Sequence, residues 1–111
     1  MTDCIFCAIV EGDIPADVVV RTENVIAFRD IAPKAPVHVI VTPTLHVPNV
    51  AALAAAAPQV LAEMALVAQQ VADAECGGEF RWIFNTGARA GQTVFHVHGH
   101  VMNSGSLGWE A

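Results

Sequence analysis

Apolar and polar positions along the chain divide into short β-branched stretches and one long stripe at helical spacing. "VVVRTE" and "VIAFRD" read as two strands joined at Glu23-Asn24 in a hairpin. "IAPKAP" is a loop, since Pro33 and Pro36 each remove a backbone donor. "VHVIVTP" reads as a third strand whose alternation puts Val37, Val39 and Val41 on one face and His38 with Ile40 on the other. After "LHVPNV", Pro58 fits the first turn of a helix running to about Glu75 and ended by Gly77-Gly78. Its apolar residues Val60, Leu61, Met64, Val67, Ala68 and Val71 form a stripe able to lie on a sheet. "FRWIFNTG" predicts a fourth strand and "TVFHVHGHVM" a fifth, with the loop "ARAGQ" between them, while "EGDIPAD" near the start is turn-forming. The order of strands, helix, strands predicts an α+β fold, an antiparallel sheet with helix on one face.

At 111 residues, 54% hydrophobic and 14% charged, the chain is expected to form one ordered domain over residues 1–111. The net charge of −6, with Arg21, Arg29, Lys34, Arg81 and Arg89 scattered, argues against binding a nucleic-acid polymer. A small phosphate ester remains a possible ligand, because backbone N–H groups hold anions without basic side chains. The apolar stretch from Val50 to Ala74 is interrupted by Pro58, Gln59, Glu63, Gln69 and Gln70, so it is read as a buried helix rather than a membrane span. The start of the chain shows no cationic segment followed by an apolar one, and a cytoplasmic location is expected. In that setting the pair Cys4 and Cys7 suits metal or redox chemistry better than a structural disulfide. Cys76 is read as a small apolar residue at the helix end.

The chemistry concentrates in "FHVHGHVM", where His96, His98 and His100 occupy every second position. On a strand these side chains share one face, about 6.8 Å apart. One reading converges them on a single zinc with a bound water. The other makes the central imidazole a nucleophile toward phosphorus, with its neighbours holding its tautomer and stabilising phosphoryl charge. The preceding "NTGARAGQT" supports the second, since its glycines allow close backbone approach and Asn85, Gln92 and Thr93 offer neutral donors.

The segment "FNTGARAGQTVFHVHGHV" resembles the signature of the histidine triad (HIT) superfamily, in which histidines alternate with hydrophobic residues. "CIFCAIVEGDIPADVVVRTENVIAFRDIAPKAPVHVIVTPTLHV" is similar to the start of its HINT-type branch, and Trp109 sits where that branch carries a C-terminal tryptophan. The resemblance implies a five-stranded antiparallel sheet with one long and one short helix. It also implies hydrolysis or transfer of nucleoside monophosphates through a nucleotidyl-histidine. By it, His98 matches the nucleophile, His100 the histidine on the α-phosphate, and His38 and His96 the positions supporting the nucleophile. Asp30 matches the ribose contact, Phe6, Phe28 and Ile31 the walls around a purine base, and Asn85, Gln92 and Thr93 residues near the phosphate and leaving group. A homodimer is implied as well. The chain departs from the motif at Gly99, where the family usually has a bulky apolar residue, and a glycine weakens a strand.

A C-x-x-C pair is half of a tetrahedral site. His46 and His96 are free of an obvious direct role in attack, and some family members hold structural zinc at matching positions, so Cys4, Cys7, His46 and His96 are the expected zinc ligands. The expected activity is that of a purine nucleoside phosphoramidase. Two alternatives stand beside it: a dinucleoside polyphosphate hydrolase or nucleotidyl transferase, and a nucleotide-binding interaction protein with vestigial catalysis.

Overall fold

A computed structural model describes residues 4–105, and the Trp109 match lies outside the described residues. Strands β1 (Val18–Arg21), β2 (Val25–Arg29), β3 (Val37–Pro43), β4 (Arg81–Ile83) and β5 (Gly99–Asn103) form one sheet in the order β1-β2-β3-β5-β4. All its pairings are antiparallel. The α+β architecture with a five-stranded antiparallel sheet is therefore present as expected.

Side-chain alternation sorts the sheet into two buried faces. On one, Val25, Ala27, Val39, Val41 and Val101 pack beneath α2 (Val50–Ala56) and α3 (Pro58–Cys76), through Leu53, Met64, Val67, Ala68 and Val71. On the other, Ile26, Phe28 and Ile40 pack against Phe6 and Ile9 of α1 (Ile5–Glu11). Because β2 and β3 are covered on both sides, they read as near-continuous apolar runs. In register, Ile40 lies opposite His100 and His38 opposite Met102, which places His38 and His100 as diagonal neighbours on the α1 face. Arg29 anchors the end of β2 to the last turns of α3 by a two-pronged ion pair, its Nη1 and Nη2 donating to Glu75 at 2.6 and 2.7 Å.

Among the described residues there are three α-helices, where the resemblance implied one long and one short. Both α1 and α2 are seven residues long; α1 is begun by Cys4, whose Sγ accepts the Cys7 N–H at 3.3 Å, and ended by Gly12 at φ 83°. Too short to show helical periodicity, it is held by packing. Helices α2 and α3 are distinct because Pro58 crowds the preceding residue out of the helical region, and Ala57 lies at φ −152°. Asn49 caps α2 by accepting the Ala52 N–H at 2.9 Å. Strand β4 covers only Arg81–Ile83 of the expected eight-residue stretch "FRWIFNTG", and β5 begins at Gly99 rather than Thr93. Among the described residues no helix is long and apolar enough to cross a membrane.

Candidate active site

The late start of β5 decides how the histidines are arranged. Residues 94–96 bend, the Val97 N–H is taken by the Val47 carbonyl at 2.8 Å, and the Thr42 hydroxyl donates to the Val97 carbonyl at 2.7 Å. The expected regular strand carrying all three histidines on one face is thus corrected: only His100 lies on β5. His96 is fully buried and turned toward the N-terminal cysteines. His98 and His100 stay together, with ring centroids 5.0 Å apart, and both line a cavity of about 390 Å³.

Backbone groups assign the proton on each ring, because a carbonyl can only accept and an amide N–H can only donate. His98 Nδ1 lies 2.8 Å from the His96 carbonyl, so it carries the hydrogen and Nε2 keeps the lone pair. The Lys34 N–H donates to His38 Nδ1 at 3.0 Å, leaving the His38 proton on Nε2, which donates to His100 Nδ1 at 2.8 Å. His100 therefore presents an Nε2–H. The result is one imidazole with a bare nitrogen beside another with a fixed donor, which suits nucleophile and phosphate anchor.

His38 and His96 do not both brace the His98 ring, as expected from their positions. His38 braces His100, and His96 holds His98 through its main-chain carbonyl rather than its imidazole. Phe6 adds a side wall, meeting His98 edge to face with centroids 4.8 Å apart. Burial lowers the pKa of His98 and of His38, so both rings stay neutral near pH 7. His100 is lowered to about 4, mainly by burial and then by its histidine neighbours.

This last shift predicts a pH effect on stability. The folded-state pKa lies below the ordinary 6.5, so protonation favours the unfolded chain; stability is full above 6.5 and is lost as pH falls toward about 4. Substituting His100→Asn should flatten that acid limb by about 2 kcal/mol after allowance for solvent screening. Urea midpoints measured at pH 7, 6 and 5 check it, and parallel curves for parent and variant would contradict it.

The cavity also includes Phe6, Phe28, Asp30, Ile31, Ile40 and Thr93, so most of the expected nucleotide contacts converge. Ile31 stands at the rim, 98% exposed. Asp30 is half-buried, with Oδ1 accepting the Ala32 N–H at 2.8 Å and Oδ2 3.4 Å from His38 Nε2. Gln92 does not join them. Its amide is spent inside the loop, Nε2 donating to the carbonyls of Pro48 and Val94 and Oε1 accepting the Gly87 N–H. Buried in this way, it clamps the loop rather than offering a donor to phosphate. Asn85 donates to the Ala90 carbonyl at 2.9 Å and is outside the cavity lining.

The expected metal ligands Cys4, Cys7, His46 and His96 bring one ligand atom each within 4.8 Å of one another. His96 Nδ1 lies 3.3 Å from Cys4 Sγ and 3.4 Å from Cys7 Sγ, and His46 Nδ1 lies 3.1 Å from Cys7 Sγ. Those spacings approach the roughly 3.5 Å edge of a tetrahedron with zinc–ligand distances near 2.0–2.3 Å. His96 Nε2 donates to the Pro43 carbonyl at 2.8 Å, which leaves Nδ1 unprotonated and aimed at the sulfurs. Donor set and tautomer both fit zinc. Asp30, His38 and His100 form another triangle of metal-type atoms within 4.8 Å. There the Lys34 N–H keeps the His38 proton on Nε2, so that nitrogen has no lone pair for a metal. The main-chain groups of Lys34, Pro43 and Val47 carry no side-chain signal in the sequence, and their roles emerge only from the fold.

At Gly99 a Cβ would stand 2.2 Å from Trp82 Nε1 and 2.9 Å from Phe84 Cζ, on the sheet face opposite His100.

The family model described as "Scavenger mRNA decapping enzyme C-term binding" matches residues 3–109. A purine nucleoside phosphoramidase from Escherichia coli K12 is 38% identical over 108 residues, covering 96% of this chain and 91% of that protein. An uncharacterised HIT-like protein from Synechocystis is also 38% identical, covering 96% and 95%. Among solved structures, a HIT family hydrolase from Legionella pneumophila superposes with TM-score 0.90 at 36% identity, covering 96% of this chain and 97% of its own. A histidine triad protein from Clostridium difficile gives 0.89 at 31% identity, covering 100% and 98%. The chain belongs to the histidine triad superfamily.

Proposed function

We propose that the chain is a nucleotide hydrolase that cleaves the P–N bond of purine nucleoside 5′-monophosphoramidates through a nucleotidyl-histidine intermediate. The observation that carries this reading is the fixed tautomer of His98, with Nδ1–H on the His96 carbonyl and Nε2 left as the basic nitrogen of a ring lining a cavity. Nε2 attacks phosphorus, a P–Nε2 bond forms and the bond to the amine breaks, the amine leaving with a proton taken from solvent. Water then attacks the same phosphorus and gives a proton to solvent, the P–Nε2 bond breaks and the nucleoside monophosphate departs. His100 Nε2–H and Thr93 donate to the phosphoryl oxygens, Asp30 accepts from the ribose hydroxyls, and Phe6, Phe28 and Ile31 flank the base. The phosphoramidase relative from Escherichia coli supports the choice of P–N bond.

Initial rates on adenosine 5′-monophosphoramidate and on a diadenosine polyphosphate, measured side by side, test the assignment. A larger kcat/KM for the phosphoramidate is expected. The reverse order selects a dinucleoside polyphosphate hydrolase, and AMP binding without turnover of either selects a binding protein. The chain is further proposed to act as a cytoplasmic homodimer, which would cover apolar surface such as Leu66 of α3, 73% exposed in one copy.

A further inference from the structure

The residue between the second and third histidines is a glycine, yet the space beside it is filled. A Cβ on Gly99 would meet Trp82 Nε1 at 2.2 Å and Trp82 Cδ1 at 2.9 Å. Neither contact is sustainable for a real side chain, and Phe84 hems in the indole, the two rings meeting at 64° with centroids 4.7 Å apart. Trp82 sits on β4 opposite Val101 of β5, which makes Gly99 its diagonal neighbour on the same face, within reach of a large aromatic. An aromatic laid over a strand glycine replaces the packing that the glycine lacks. The indole N–H is buried with no hydrogen-bond partner among the described residues, so packing rather than a polar contact sets its place.

We propose that Trp82 is a positioning residue for the hydrolase reaction: its indole occupies the place of a side chain at 99 and holds the His98–Gly99–His100 backbone at the spacing the chemistry needs. The inference rests on the function proposed above. It goes beyond it in assigning a role to a residue that touches neither substrate nor histidine ring. The physical chain is short. Gly99 has the widest backbone freedom of any residue, and it joins the nucleophile to the phosphate anchor. Restricting that freedom from the opposite face fixes two rings whose centroids are 5.0 Å apart. On this reading the glycine does not mark lost function, because the tryptophan and the glycine act as one packing unit split across two strands.

The test is a size exchange. Trp82→Ala should lower kcat on adenosine 5′-monophosphoramidate by about 10- to 100-fold with little change in KM, since a small misplacement of the reacting groups is costly. Trp82→Phe should retain most of the rate. Gly99→Leu alone should be poorly active and less stable, and Gly99→Leu combined with Trp82→Ala should recover rate and melting temperature above either single variant. The ring ¹⁵N signals of His98 and His100, read by NMR, give a measure independent of turnover: Trp82→Ala should shift or broaden both, and the exchange should restore them. Unchanged histidine signals in Trp82→Ala, or a double variant no better than the singles, would overturn the proposal. A parent protein that turns over no phosphoramidate would refute the proposed activity instead, while the NMR and melting comparisons would still decide the role of Trp82.

Discussion

Replacing His98 with Ala or Asn is expected to abolish phosphoramidate turnover, by at least about 10³-fold in kcat, while AMP binding stays within a few-fold of the parent. The size of the effect follows from the geometry. His98 carries the basic nitrogen beside a cavity whose other imidazole is tied up, since His100 Nδ1 accepts from His38 and its remaining nitrogen is a donor. No neighbour can substitute as nucleophile without breaking the Lys34–His38–His100 chain of hydrogen bonds. Asn at 98 can still donate to the His96 carbonyl, so the variant should keep its fold and melting temperature. Steady-state rates, AMP titration and a melting curve on the same preparation are the required measurements. A His98→Asn protein within tenfold of the parent rate would sink the covalent mechanism.

The second large effect is expected at the N terminus. Protein purified without chelator should carry about one zinc per chain, held by Cys4, Cys7, His46 and His96, as four closed protein ligands imply. When bound, the metal would supply a structural cross-link and no reacting group. Cys7→Ser should remove it and lower stability by about 3 kcal/mol, because metal affinity for a preformed site appears as folding free energy. The loss should be local first. Cys4 begins α1, and Phe6 of α1 packs on His98, so amide exchange should quicken over residues 5–11 before the sheet opens. Activity should drop less after chelation than after loss of His98. Native protein without zinc and with an undiminished melting temperature would reject the site.

Much of the candidate site was legible in the residues because its key elements are short-range. The β3 register was readable from Val37 to Pro43, since β-branched alternation sets which side chains face together, and the structure keeps His38 and Ile40 on one face. Helix α3 was readable from Pro58 at its start to the glycines at its end, because both act through their own backbone preferences. The proposed zinc ligands were nameable because a C-x-x-C pair is half of a tetrahedral site and the family resemblance points to His46 and His96 as the other half, and the fold brings the four side chains together. The same logic failed for Gln92. Its chemistry suits phosphate, but Pro48, Gly87 and Val94 surround it with backbone partners that only the folded loop brings close.

By itself, then, the sequence determined the number and order of the strands, the long helix, the class of fold and the inventory of reactive groups, because propensity, alternation and residue chemistry act over a few neighbouring positions. Tertiary structure alone decided how those groups are oriented. Period-two alternation put His96, His98 and His100 on one face, but long-range bonds from Val47 and Thr42 bent the segment and turned His96 to the cysteines. Which nitrogen carries each proton was set by carbonyls and amides at Lys34, Pro43 and His96. The fate of Gly99 was settled by an indole seventeen positions earlier in the chain, brought beside it by β4–β5 pairing. Such contacts depend on the closing of the whole sheet, and backbone donors and acceptors are the same for almost every residue, so no local pattern of side chains encodes them.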